Sequence, residues 1–220
     1  MFFHDRADAG RQLADRLEHL RDSDPIVLGL PRGGVPVAAQ VAAALAAPLD
    51  VLVVRKLGVP FQPELAMGAI GEGGARVLNE GLVRDFGISD DEVAAVEAAE
   101  RDELERRTDR YRRGEAPYDL TGRIAIVVDD GIATGATAAT GCRIVRARGA
   151  RRLILAVPVA PPGWSAELRG AADEFIALST PADFLAVGQY YRDFSPTSDA
   201  EVIDCLDKGR HAVHRRGGRR

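Results

Sequence analysis

Residues 124–137, Ile-Ala-Ile-Val-Val-Asp-Asp-Gly-Ile-Ala-Thr-Gly-Ala-Thr, constrain the fold more than any other stretch of this chain. Five apolar residues, 124–128, form a short buried strand. Two adjacent carboxylates, Asp129 and Asp130, follow it, then a run of small and hydroxyl residues, then an apolar helix from Thr137 onward. A strand that ends in paired acids and enters a helix through Thr134, Gly135 and Thr137 suits a sugar phosphate. The helix start offers backbone N–H groups without intrahelical partners and the positive end of the helix dipole. Small residues let that backbone approach closely, and the acids accept hydrogen bonds from vicinal hydroxyls. An ordinary acidic N-cap would need one acid and no Thr-Gly-x-Thr.

The same alternation of strand and helix recurs along the chain. A helical stripe occupies 5–21, a strand 26–30, a helix 35–47 and a second strand 49–54. Ser89 with Glu92 opens a long charged helix to about residue 113, and Ser198 with Glu201 opens another to about 207. Between the main strand's helix and that last one, strands are expected at 152–159 and 174–178, with a helix at 164–171. This order predicts an α/β fold, a parallel sheet with helices on both faces. Ligands then bind at the carboxyl ends of the strands, where loops 31–34, the segment from Arg55, and 129–137 gather. Residues 55–74 carry five glycines and two prolines and read as a long connector, functional or mobile.

A chain of 220 residues suits one domain, 1–207, followed by a basic tail, 208–220, expected to be disordered. The net charge of −4 is uneven: six of the last 13 residues are Lys or Arg, with no acid among them. The body is therefore acidic, which argues against broad nucleic-acid binding. No apolar run approaches the roughly 20 residues that span a bilayer. Cys142 and Cys205 are far apart without metal-ligand spacing, as expected of reduced thiols in a cytoplasm.

Residues 124–137 resemble the phosphoribosyl pyrophosphate (PRPP) signature of type I phosphoribosyltransferases: apolar residues, two acids, two variable residues, a small residue, Thr or Ser, Gly, one more residue, then Thr or Ser. Asp129, Asp130, Thr134, Gly135 and Thr137 fall in place, with Ala133 and Ala136 completing the loop. The resemblance covers roughly residues 5–207 and extends to a loosely assigned bacterial group of such proteins. It implies a Rossmann-like core under a small hood, drawn from 75–118 and 160–195. It implies that Gly33 and Gly34 cradle pyrophosphate beside Arg32, that Arg55 and Lys56 neutralise it, and that residues 57–74 close over it. It further implies Mg²⁺ carried by PRPP with no direct protein ligand, a homodimer, and a small nitrogenous acceptor. Phe184 and Tyr190, in the aromatic run 184–194, resemble base-stacking residues of the 6-oxopurine enzymes, with core packing of Phe184 and Phe194 the competing reading. Ala133 stands where those enzymes place an Asp, which puts hypoxanthine or guanine in doubt. Two other classes remain: a PRPP sensor without catalysis, and a phosphatase, for which no nucleophile is in place.

Overall fold

The computed structural model describes residues 2–217. Its centre is a five-stranded parallel sheet in the order β2-β1-β6-β7-β8. The strands are β1 (Ile26–Gly29), β2 (Leu49–Val51), β6 (Ile124–Val128), β7 (Arg152–Val159) and β8 (Glu174–Ser179). Every residue of β1, β2 and β6 is buried, as a parallel sheet covered on both faces requires. Alternate side chains serve two cores. Val27, Ile126, Val128 and Ile154 face α1 (Arg6–Leu17) and α2 (Gly34–Leu45). Leu28, Ala125, Val127 and Leu155 face α5 (Ala136–Ala147). The α/β class and the parallel sheet expected from the sequence are present.

The chain leaves β1 toward β2 and later returns on the other side of β1 as β6. The strand order therefore reverses between β1 and β6, and a crevice opens outside their carboxyl ends. Both principal loops, 31–34 and 129–135, border that crevice.

Residues 55–74 are not a loose connector. They form most of a hairpin, β3 (Val54–Val59) and β4 (Gln62–Gly71), joined by β5 (Arg76–Leu78) in an antiparallel three-stranded sheet. The period-2 signal was masked at Gly58, where the register shifts on both sides. Gly58 pairs with Ala66 and Val59 with Gln62, so residues 63–65 bulge out of the ladder, and a Cβ at Gly58 would lie 2.5 Å from the Pro63 carbonyl oxygen. The short helix α3 (Glu80–Asp85) precedes α4 (Asp90–Arg112), which begins with the expected capping box between Ser89 and Glu92. α4 packs on β3, β4 and α7 (Asp199–Gly217).

The helix at 164–171 is shorter than expected: α6 spans Trp164–Glu167. α7 continues past residue 207 to Gly217, where the sequence reading had placed a disordered tail; residues 218–220 of that tail lie outside the described residues. No helix among the described residues is long and apolar enough to cross a membrane.

Candidate active site

β6 delivers Asp129 and Asp130 to the crevice. Asp130 is clamped from both ends of the chain. The Arg6 Nε, on the first turn of α1, donates to Asp130 Oδ2 at 2.8 Å, and Arg6 Nη1 donates to the Ser195 carbonyl at 2.8 Å. The same guanidinium lies 4.0 Å from the Phe194 ring centroid. The Tyr191 hydroxyl donates to the Asp130 backbone carbonyl at 2.6 Å. Asp129 Oδ1 accepts from the Asp130 N–H at 2.9 Å and pairs with no cation among the described residues. Burial raises the proton affinity of both carboxyls; the neighbouring Asp130 charge adds to the rise at Asp129, and Arg6 pulls Asp130 back. Arg6 is thus the cation that answers Asp130, and none pairs with Asp129 among the described residues.

Two glycines bring the β1 loop against these acids. A Cβ on Gly33 would lie 2.0 Å from Asp130 Oδ2, and one on Gly34 would lie 2.6 Å from the Val128 carbonyl oxygen. Only glycine permits this contact. The peptide bond between Pro31 and Arg32 in this loop is cis.

Beyond the acids the chain turns at Gly135, φ +73°, a left-handed conformation that favours glycine. Ala133, Thr134, Ala136 and Thr137 are exposed on this turn. The Ala136 N–H reaches Thr134 Oγ1 at 3.5 Å, and α5 starts immediately. A cavity here is walled by Asp129, the 131–138 turn and Val187. Helix-start residues and the two threonines therefore line a concave surface of about 180 Å³.

Arg55 and Lys56 stand on β3. They share a second cavity, about 310 Å³, with Pro31, Thr137 and Arg107. Arg55 is ion-paired to Glu100 of α4 at 2.6 Å, and Lys56 reaches Glu64 at only 3.4 Å. Arg32 is exposed and lines a neighbouring cavity with Arg106, Arg107 and Arg110.

The structure thus gathers Gly33, Gly34, Arg55, Lys56, Asp129, Asp130 and residues 133–137 at one edge. Tyr190 is 4% exposed and stacks with Phe184, ring centroids 5.8 Å apart and 9° between planes, and with Phe2 at 6.0 Å. Phe184 and Phe194 are partly buried against the same small core, the packing weighed beside a base-stacking role. Val187, on the short 3-10 turn Val187–Tyr190, borders the 131–138 turn. Arg6, Tyr191, Val187 and Arg107 were missed from sequence. Arg6 looked like one more charge on an amphipathic helix, and only its distance in space from residue 130 gives it a role.

A phosphoribosyl transferase domain model matches residues 4–183. Proteins of two Mycobacterium tuberculosis strains, each named "Putative phosphoribosyl transferase", are 59% identical over 206 residues, covering 94% of this chain and 46% of theirs. The chain therefore spans about half the length of these relatives. The crystal structure of the Thermus thermophilus protein TT1426 superposes with a TM-score of 0.87 at 45% identity, covering 94% of this chain and 99% of that one. The paired acids at the end of β6, the open turn into α5 and these matches lead to one assignment: the chain belongs to the phosphoribosyl transferase family.

Proposed function

We propose that this domain transfers ribose 5-phosphate from PRPP to a nitrogenous base, releasing pyrophosphate. One observation carries the reading. Two half-buried carboxylates, answered by one cation, Arg6, sit beside an exposed Thr134-to-Thr137 turn at a helix start and near a cavity that holds Arg55 and Lys56.

In this reading Asp129 and Asp130 accept hydrogen bonds from the two ribose hydroxyls. The amides of residues 133–137, with the Thr134 and Thr137 hydroxyls, hold the 5-phosphate. Gly33 and Gly34 let the loop backbone approach the pyrophosphate, and Arg32, Arg55 and Lys56 balance its charge as the bond to the sugar breaks. Among the described residues no group of three or more His, Cys, Asp or Glu could hold a metal by itself, which fits a cation carried by the ligand. Mg²⁺ carried by PRPP would add charge neutralisation on the pyrophosphate beside Arg32, Arg55 and Lys56. Glu64, which tethers Lys56 loosely, and the exposed Phe61 at the hairpin tip are placed to move when the hairpin covers the site and excludes water. Val187 borders the space for the base. The enzyme acts as a cytoplasmic homodimer.

Calorimetric titration with PRPP and Mg²⁺ tests the first step: wild-type protein that fails to bind at millimolar concentration refutes the proposal. Asp129→Asn with Asp130→Asn should weaken binding at least about tenfold, on the order of 1.4 kcal/mol. Pyrophosphate release across a nucleobase panel tests the second. A PRPP sensor would bind PRPP and release none.

A further inference from the structure

α4 is longer than the sheet needs, and one of its faces is strongly basic. Arg106, Arg107 and Arg110 are three and four residues apart and lie on one side of the helix. They converge with Arg32, from the loop after β1, on one cavity of about 270 Å³ that Tyr111 and Asp199 complete.

Four guanidiniums here meet two carboxylates. Arg106 and Arg107 both pair with Glu103, each at 2.6 Å. Arg110 pairs with Asp199, which also accepts from the Tyr111 hydroxyl at 2.8 Å. Arg32 makes no ion pair among the described residues, yet its charge is felt at both Tyr111 and Asp199. Two positive charges are left over inside a concave surface, which focuses their field. The planar forks of arginine match phosphate oxygens two at a time. One carboxylate or one phosphate would answer only part of a cluster that runs from Arg32 to Arg110. Several linked phosphates would answer all of it.

We infer that this cavity is a second anion site, which takes the polyphosphate chain of a phosphorylated ligand beside the active site. It adjoins the Arg55 and Lys56 cavity, because Pro31 and Arg107 wall both. Only the naming of that neighbour as the pyrophosphate seat rests on the proposed function. The anion site does not: Arg32 is shared with the pyrophosphate in that reading, while Arg106 and Arg110 line this cavity and not its neighbour.

The test is calorimetry with inorganic tripolyphosphate and, separately, with ATP, on the wild type and on Arg106→Ala with Arg110→Ala. Wild-type protein should bind tripolyphosphate at two sites. The double variant should lose about tenfold or more in affinity at one of them, while PRPP binding stays within about threefold. Arg110 also holds Asp199, so Arg106→Ala alone is the second variant; its side chain is 56% exposed and its loss leaves the α4–α7 contact untouched. It should weaken the same site about threefold. Equal affinity for tripolyphosphate and ATP supports the site and identifies the phosphate chain as the ligand. Tighter ATP binding supports it and identifies a nucleotide. Isotherms unchanged in both variants overturn it. A wild type that binds tripolyphosphate but not PRPP overturns the proposed function and leaves this inference standing.

Discussion

Arg6→Ala removes the contact that holds the acidic step in place. Three interactions go with it: the 2.8 Å bond to Asp130, the 2.8 Å bond to the Ser195 carbonyl, and the guanidinium contact with the Phe194 ring. The Arg6 and Asp130 side chains are 13% and 16% exposed. Breaking a fully buried pair costs about 3–5 kcal/mol; residual solvent contact lowers the expectation here to about 2–3 kcal/mol. In a domain of this size, 1 kcal/mol moves the melting temperature by about 2–4 °C, so a fall of roughly 4–12 °C follows. The pH dependence moves as well. Arg6 is the group that opposes the burial-driven rise in Asp130 proton affinity. Without it the folded pKa of Asp130 climbs further above its unfolded value. The ionised form that accepts ribose hydroxyls then requires a higher pH, and PRPP binding is lost on acidification earlier than in the wild type. Differential scanning fluorimetry, with PRPP titrations between about pH 5.5 and 8.5, reads both effects. Arg6→Lys restores the charge, and with it much of the pH profile, but not both hydrogen bonds. A variant that melts within about 1 °C of wild type and keeps its pH profile would show that Arg6 does not govern Asp130.

Gly33→Ala places a methyl 2.0 Å from Asp130 Oδ2; the acid must move by roughly an ångström, and PRPP affinity should fall about 100-fold in calorimetry. Asp129→Asn should stabilise the protein while weakening PRPP binding. The folded pKa of Asp129 is raised, so native stability falls as pH rises from the ordinary carboxylate value through the folded one; urea melts should show the Asn variant's advantage at pH 8 and its disappearance near pH 4. Arg112→Met strands Asp50 and Glu72, both buried against it, and should cost about 3–5 kcal/mol in urea denaturation. Burial raises the Glu72 pKa even with Arg112 present, so the cost should shrink toward pH 5 as Glu72 takes up a proton.

Strand-plus-acids read well from sequence because its determinants are local. Residues 124–128 are apolar without interruption, and no alternative packing suits two carboxylates followed by Thr-Gly-x-Thr. The β1 strand, the β7 strand at 152–159 and both capping boxes were equally local. The hairpin was not. Its strands are held by register against each other and by Gly71 pressed on Ile144, where a Cβ would lie 2.3 Å from Cγ2; nothing in the spacing of Gly58, Pro60 and Pro63 encodes that pairing. The ring contacts of Tyr190 were illegible for a related reason. An aromatic in a polar run looks the same whether it meets a base or another ring, and only the fold brings Phe184 and Phe2 to it. Arg6 lies 124 residues from its partner.

The long helix α4, which looked like a solvated surface element, instead ties the hairpin sheet to the strands and helix of the main sheet. Glu100 holds Arg55 and Glu97 holds Arg76 on the hairpin sheet; Arg112 reaches Glu72 at the hairpin's end and Asp50 on β2; Arg110 reaches Asp199 at the start of α7. The contacts differ in strength along the helix. At its C-terminal end the Arg112 cluster is buried, with side chains 3–5% exposed, whereas Arg55 and Glu100 are 27–28% exposed and Lys56 is nearly untethered. Ion pairs open to water contribute little, so the hairpin is anchored firmly at Glu72 and held weakly at Arg55 and Lys56. Those two cations can therefore exchange Glu100 and Glu64 for an incoming anion at small cost, while Asp129 and the turn after it, mounted on a fully buried strand, stay where they are. In the function we propose, sugar and 5-phosphate meet the surface mounted on that buried strand, and pyrophosphate, which must leave, meets side chains already paired with replaceable carboxylates.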